Sequence, residues 1–321
     1  MKMAFYTLVI LLIGCDSNPA EIHWVDLPER RLSTYATALS EPVTSRFGTM
    51  PTVVWEYIKK MAPEAGFEGY EPTIDERALF QEYFDLLPVK YRNEMDEKVA
   101  KIYFVDNFDS GAMTDVVFND KKEMFVVLYF NKKLLNTSLS HWINFRDNSS
   151  FKPKDGFFLD SNCTGDYFGL IHALLHEASH IYDYYHHITP YVEEFQRDTS
   201  PLKTTPFIET IWKDLRDITV EKNILGDSNY SGYGLGGKID ISMALDLYKK
   251  LKASPFASLY GTLSWSEDFA ESFSWWYMKD KLGIDYSVLV EVDGKVVLSF
   301  EPFQTQSAKS RVSILEVISE I

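Results

Sequence analysis

The chain is poor in cysteine, in net positive charge and in long apolar runs, and each shortage excludes something. Only Cys15 and Cys163 occur in 321 residues. A disulfide framework is therefore excluded, and with Cys15 used elsewhere no intramolecular bridge is possible. Lysine and arginine number 32 against 47 acidic residues, a net charge of -15. Such a surface repels phosphates and anionic lipid, so direct nucleic-acid partners are excluded. The longest apolar run, Ala4 to Ile13, is too short to span a bilayer as a stable helix. Histidine is also scarce. Seven occur, yet five of them fall in "IHALLHEASHIYDYYHHITP", residues 171–190.

The N-terminus reads as a targeting segment: Lys2, then the apolar run, then Leu12-Ile13-Gly14-Cys15. This order resembles the lipobox of bacterial lipoproteins. It implies a signal peptide over 1–14 and a mature chain lipid-tethered at Cys15 in the cell envelope, with no other membrane contact. Residues 15–45 read as a loosely docked tether. Cys163 reads as a buried or incidental thiol.

A single domain is expected over 46–321, of α+β class. It divides into an upper lobe over about 46–190, a helical lower lobe over about 191–282, and a hairpin and helix over 283–321. "TVVWEYIKKM" and "DERALFQEYFDLL" carry helical spacing, the second capped by Thr73 or Asp75. "KIYFVDNF", "TDVVF" and "MFVVLYF" are β-branched and aromatic runs, expected as a small, mostly antiparallel sheet. Residues 131–165 read as a loop. A long helix is expected over 166–187, capped by Thr164 or Asp166 and stopped before Pro190. Residues 191–260 read as mostly helical with loops. A further helix is expected over 266–281, a hairpin with an Asp-Gly turn in "SVLVEVDGKVVLSFE", and a last helix over 307–321.

His176-Glu177-Ala178-Ser179-His180 is an HExxH motif on that long helix. Residues four apart share a face, so both imidazoles reach one Zn²⁺. Glu177 lies about 100° round the helix, where it can take the proton of a water activated by the metal. A polar strip through an apolar helix needs partners, and a metal supplies them. His172 and His180 are about 12 Å apart along a straight helix, so His172 reads as packed beside the site rather than as a ligand. Asp183, three residues after His180, can accept the second ring N–H of a ligand histidine.

Two candidates compete for third ligand. His186 falls at the last histidine of HExxHxxGxxH, but Asp183 stands where a helix-breaking Gly is needed. The matching methionine turn would be the loose Ser242-Met243-Ala244. The other candidate is "YGTLSWSEDFAESF", where Glu267 and Glu271 lie one helical turn apart among apolar residues.

The pair "HEASHIYDYY" and "YGTLSWSEDFAESF" resembles the zinc-peptidase domain of the anthrax lethal factor-like group, which includes the Pro-Pro endopeptidases. About 30 of the 321 residues carry the resemblance. It implies a zincin-like metallopeptidase whose sheet packs on the HExxH helix. It implies Glu267 as third ligand, with Asp183 and Glu271 supporting the histidines, and Tyr260 donating to the oxyanion. The gap from His180 to Glu267 is longer than the family's and leaves room for an inserted helical lobe. The function implied is that of a gluzincin-type zinc endopeptidase. The competing readings are a catalytically silent peptide-binding lipoprotein and a structural zinc closed by His186. A peptide or protein is the expected partner. Cleavage specificity and oligomeric state are not readable, nor is the choice of edge strand.

Overall fold

A computed structural model describes residues 24–61, 66–108, 110–190, 204–219, 223–226, 228–235 and 237–320. The expected signal peptide and Cys15 lie outside them. Among the described residues no helix is long and apolar enough to cross a membrane. The chain is α+β, with eight α-helices and three small sheets among the described residues.

The first half builds the sheet and its supports. Helix α1 (Thr52–Met61) and strand β1 (Glu68–Tyr70) come first. They are followed by helices α2 (Ile74–Asp85) and α3 (Val89–Lys98), then strands β2 (Val99–Asp106), β3 (Ala112–Phe118) and β4 (Met124–Asn131). Thr73 starts α2 through a reciprocal box: its hydroxyl accepts from Glu76 N–H, and its own N–H donates to Glu76. The strands order β1-β2-β4-β3, with β2 and β4 parallel and the outer pairs antiparallel. One face (Ile102, Phe104, Leu128, Phe130) packs towards α2 and the histidine helix, and the other (Tyr103, Val105, Val127, Tyr129) towards α1. β1 and β3 are the edge strands, and β3 is the one beside the histidine helix.

Residues 131–165, expected as a loop, hold helix α4 (Leu139–Ser149) and strands β5 (Phe151–Lys152) and β6 (Phe157–Cys163). Ser138 caps α4, and Leu139, Trp142 and Ile143 bury one face. In β6, buried Leu159, Ser161 and Cys163 alternate with exposed polar residues, a half-buried strand masked by its composition. Helix α5 (Leu170–His186) begins at Gly169 rather than at Thr164 or Asp166. The residues before it are held in a connection by Phe168 N–H donating to the Tyr83 hydroxyl and by Leu139 N–H donating to Tyr167 O. Past α5 the described residues contain β7 (Ile239–Asp240), α6 (Ala244–Lys252) and α7 (Trp265–Leu282). The chain closes with hairpin β8 (Tyr286–Val292) and β9 (Lys295–Phe300), and helix α8 (Gln306–Glu320).

Two expected boundaries move. From Trp24 on, the supposed tether is part of the fold: Arg30, Tyr35, Val43 and Arg46 are buried. The hairpin β8–β9 joins the first half of the chain, because β8 pairs with β6 along its whole length. The helices that carry the histidines and the acidic pair, α5 and α7, pack against each other. Tyr91 of α3 stacks on Tyr182 of α5 and on Phe273 of α7, ring centroids 4.6 Å away in each case, and so braces both.

Candidate metal centre

Helix α5 is continuous from Leu170 to His186, so His176 and His180 project from one face a turn apart. Helix α7 presents Glu267 in its first turn, where Ser264 caps the helix by accepting from Glu267 N–H. The metal-binding atoms of His176, His180 and Glu267 all lie within 4.8 Å of one another. The two Nε2 atoms are 3.1 Å apart, and Glu267 Oε2 is 3.1 Å from His176 Nε2 and 3.5 Å from His180 Nε2.

Two imidazole nitrogens facing each other at that distance, with a carboxylate beside them, need a proton or a cation between them. Charge tells the same story. Burial works against a proton on His176, but Glu267 and Glu271 outweigh it and push its pKa up to about 10. Burial alone would raise Glu267, yet His180 and His176 hold it down at about 2. The cluster therefore calls for positive charge, and its donors, two buried histidines and a half-buried Glu267, fit a metal ion.

Glu177 is buried beside the cluster, and its Oε2 accepts from the Thr114 hydroxyl of β3 at 2.6 Å. Tyr260 packs its ring 5.9 Å from that of His176. Burial, then the nearby Glu267, Tyr233 and Glu177, raise its hydroxyl well above the ordinary phenol range, so it is a donor. Glu271, the other expected acidic residue, is fully buried. It accepts from Arg146 at 3.0 Å, Ser258 at 2.5 Å and Trp275 at 2.9 Å. Its Oε1 lies 3.2 Å from His176 Nδ1, a close contact without the line of a hydrogen bond.

No family model, curated protein or solved structure matches the chain.

The other expected residues fall elsewhere. His172 sits with Glu271 and His176 in a second grouping of possible ligands. A cation there would meet the Arg146 guanidinium, already 3.4 Å from His172 and 3.0 Å from Glu271, and like charges that close repel. His172 instead packs against Trp275, ring centroids 4.6 Å apart, and burial pushes its pKa down to about 4. His186 is carried past the cluster by the unbroken helix and pairs with Glu94 at 2.8 Å. Met243 stands at the N-cap of α6, part-exposed, rather than in a turn below the cluster.

Asp183 departs from expectation. It accepts from the N–H and hydroxyl of Thr189, at 2.6 and 2.5 Å, and so ties the loop after α5 back to the helix. Nδ1 of His180 has no hydrogen-bond partner among the described residues. Cys163 is buried in β6 opposite Tyr286, its thiol pKa pushed up by burial, and belongs to neither ligand grouping.

Thr114, Arg146 and Tyr233 line or hold the site without having been singled out in the sequence. Arg146 sits on α4, in the stretch that reads as loop. Its signal was the run Leu139, Trp142, Ile143 after a Ser, a capped helix start. Tyr233 belongs to the glycine-rich stretch, with φ of 53°, and its ring packs 5.7 Å from that of Tyr260.

Proposed function

We propose that the chain is a zinc-dependent endopeptidase of the gluzincin type, akin to the lethal factor-like group. One observation carries the reading most: the convergence of His176, His180 and Glu267 from two helices, with Glu177 one residue from the first histidine. Bound there, zinc supplies Lewis acidity, which makes a water more acidic and polarises a carbonyl. Glu177 takes the proton of the attacking water and passes it to the leaving amine. Thr114 holds that carboxylate at the edge strand until substrate arrives. Tyr260 donates its hydroxyl to the oxygen that gains charge. Glu271, fixed by Arg146, keeps His176 oriented.

The test pairs metal analysis with a peptide-library digest, for the full chain and for Glu177→Gln. The expected result is about one zinc per chain in both proteins, with activity lower by at least about 100-fold in the variant. Full activity in Glu177→Gln, or a pure protein that takes up no zinc, overturns the reading.

A further inference from the structure

The outer edge of β3 is open around Thr114; before it, Ala112 O accepts from the Ser110 hydroxyl at 3.3 Å, and the second half is covered. Gly111 O accepts from Asn131 N–H of β4, so odd-numbered backbone groups along β3 face β4 and even-numbered ones face outward. Of the outward groups, Val116 O accepts from the Arg30 guanidinium at 3.0 Å. Phe118 forms a bridge with Arg31. Arg30 also makes a buried ion pair with Asp115, and Trp24 packs edge-on against Phe118 with ring centroids 5.4 Å apart. The same segment is anchored at its other end by Tyr35, buried against Tyr103. The outward groups of Thr114, level with Glu177, have no such cover among the described residues.

We propose that the segment from Trp24 to Arg31 is a built-in cap on the substrate strand, which limits how much peptide can pair upstream of the scissile bond. The inference rests on the peptidase reading above. A peptide that adds to β3 does so most stably antiparallel, as β4 does on the other side. Its N-terminal side then runs towards Phe118. Cleavage occurs beside Glu177, which Thr114 touches, and Val116 is blocked about 7 Å further along, two residues of strand. The peptide's C-terminal side runs past Ala112 towards Trp142 and Tyr233, which border a small cavity beside His176. Preferred substrates are therefore cleaved close to a free N-terminal end, or bend off the sheet after about two upstream residues.

The experiment uses the zinc-loaded full chain and nested peptides lengthened one residue at a time on either side of a cleaved bond. Upstream, kcat/KM rises by up to about fivefold for each of the first two residues and then stays flat, while downstream extension raises it further. Two variants loosen the cap: Trp24→Ala, and the double change Arg30→Met with Asp115→Asn, which leaves no buried charge unpaired. In a variant shown by thermal melting to be folded, the upstream plateau moves outward by at least one residue and the downstream series is unchanged. Continued upstream gain in the wild type overturns the cap, as does an unmoved plateau in a folded variant. Should neither variant fold, the wild-type series alone decides. Binding of the same peptides to zinc-loaded Glu177→Gln, read by fluorescence anisotropy, separates the two ideas. A length-limited binding series without wild-type cleavage keeps the cap and removes the peptidase reading. Cleavage without a plateau does the reverse, and peptides neither bound nor cleaved remove both.

Discussion

Arg146 shows how much one unflagged side chain can matter. Its guanidinium joins Glu271 to Asp147, and all three are buried. Arg146→Met leaves those two carboxylates buried and without their cation. A loss of about 3–5 kcal/mol of stability is expected by urea denaturation. A drop of roughly 10–100-fold in zinc affinity is expected by competition with a chelator, because Glu271 then no longer fixes His176. Arg146→Lys should recover only part, since an ammonium cannot reproduce the planar fork. At this scale the sequence was legible where spacing is covalent: His176, Glu177 and His180 are neighbours by helix geometry alone. The partners of Asp183 were not, because Thr189 reaches it only after the chain turns at His187 in the left-handed conformation, φ 54°. Spacing along a helix says which residues share a face, not which of them a returning loop will claim.

At the scale of elements, the box at the start of α2 gives a pH-dependent contribution with a defined sign. Burial tends to raise Glu76, but hydrogen bonds from Thr73 and Tyr70 prevail and hold it below the ordinary carboxylate value. A carboxylate depressed in the folded state stabilises the fold above its unfolded pKa, roughly 4.3, and loses that contribution as pH falls. Wild type should therefore be more stable than Glu76→Gln at neutral pH, and the gap should close in acid, as followed by urea midpoints at each pH. Thr73 was readable as one of two candidate caps, with Asp75, because capping signals are local, and the structure selects Thr73. The edge strand was not readable, since β2, β3 and β4 all carry the same β-branched pattern and only their pairing order puts β3 outside. Strand β6 was hidden for another reason. Asp160, Ser161 and Asn162 made its composition read as a loop, while burial alternated as in a strand.

At the scale of the whole molecule, the metal is expected to act as a clamp between α5 and α7, because its donors come from both. A ligand that binds only the folded state at about 100 times its Kd adds about 2.7 kcal/mol. For a chain of this size that is a rise in Tm of roughly 4 °C, reversed by a chelator and restored by zinc, as read by calorimetry. The α+β class and the order of the main elements followed from periodicity. The lobe boundaries did not, because β6 finds its partner β8 more than a hundred residues on, and no local pattern marks such a pairing. That pairing has a consequence for the order of synthesis. Tyr286 of β8 donates to Asp147, which with Arg146 and Glu271 forms the polar support behind His176. A ribosome must therefore have released the chain through Tyr286 before that support can close. A growing chain carries both histidines while the residues from Ile181 to Tyr286 are still being added, and all that time lacks the scaffold that makes them a site.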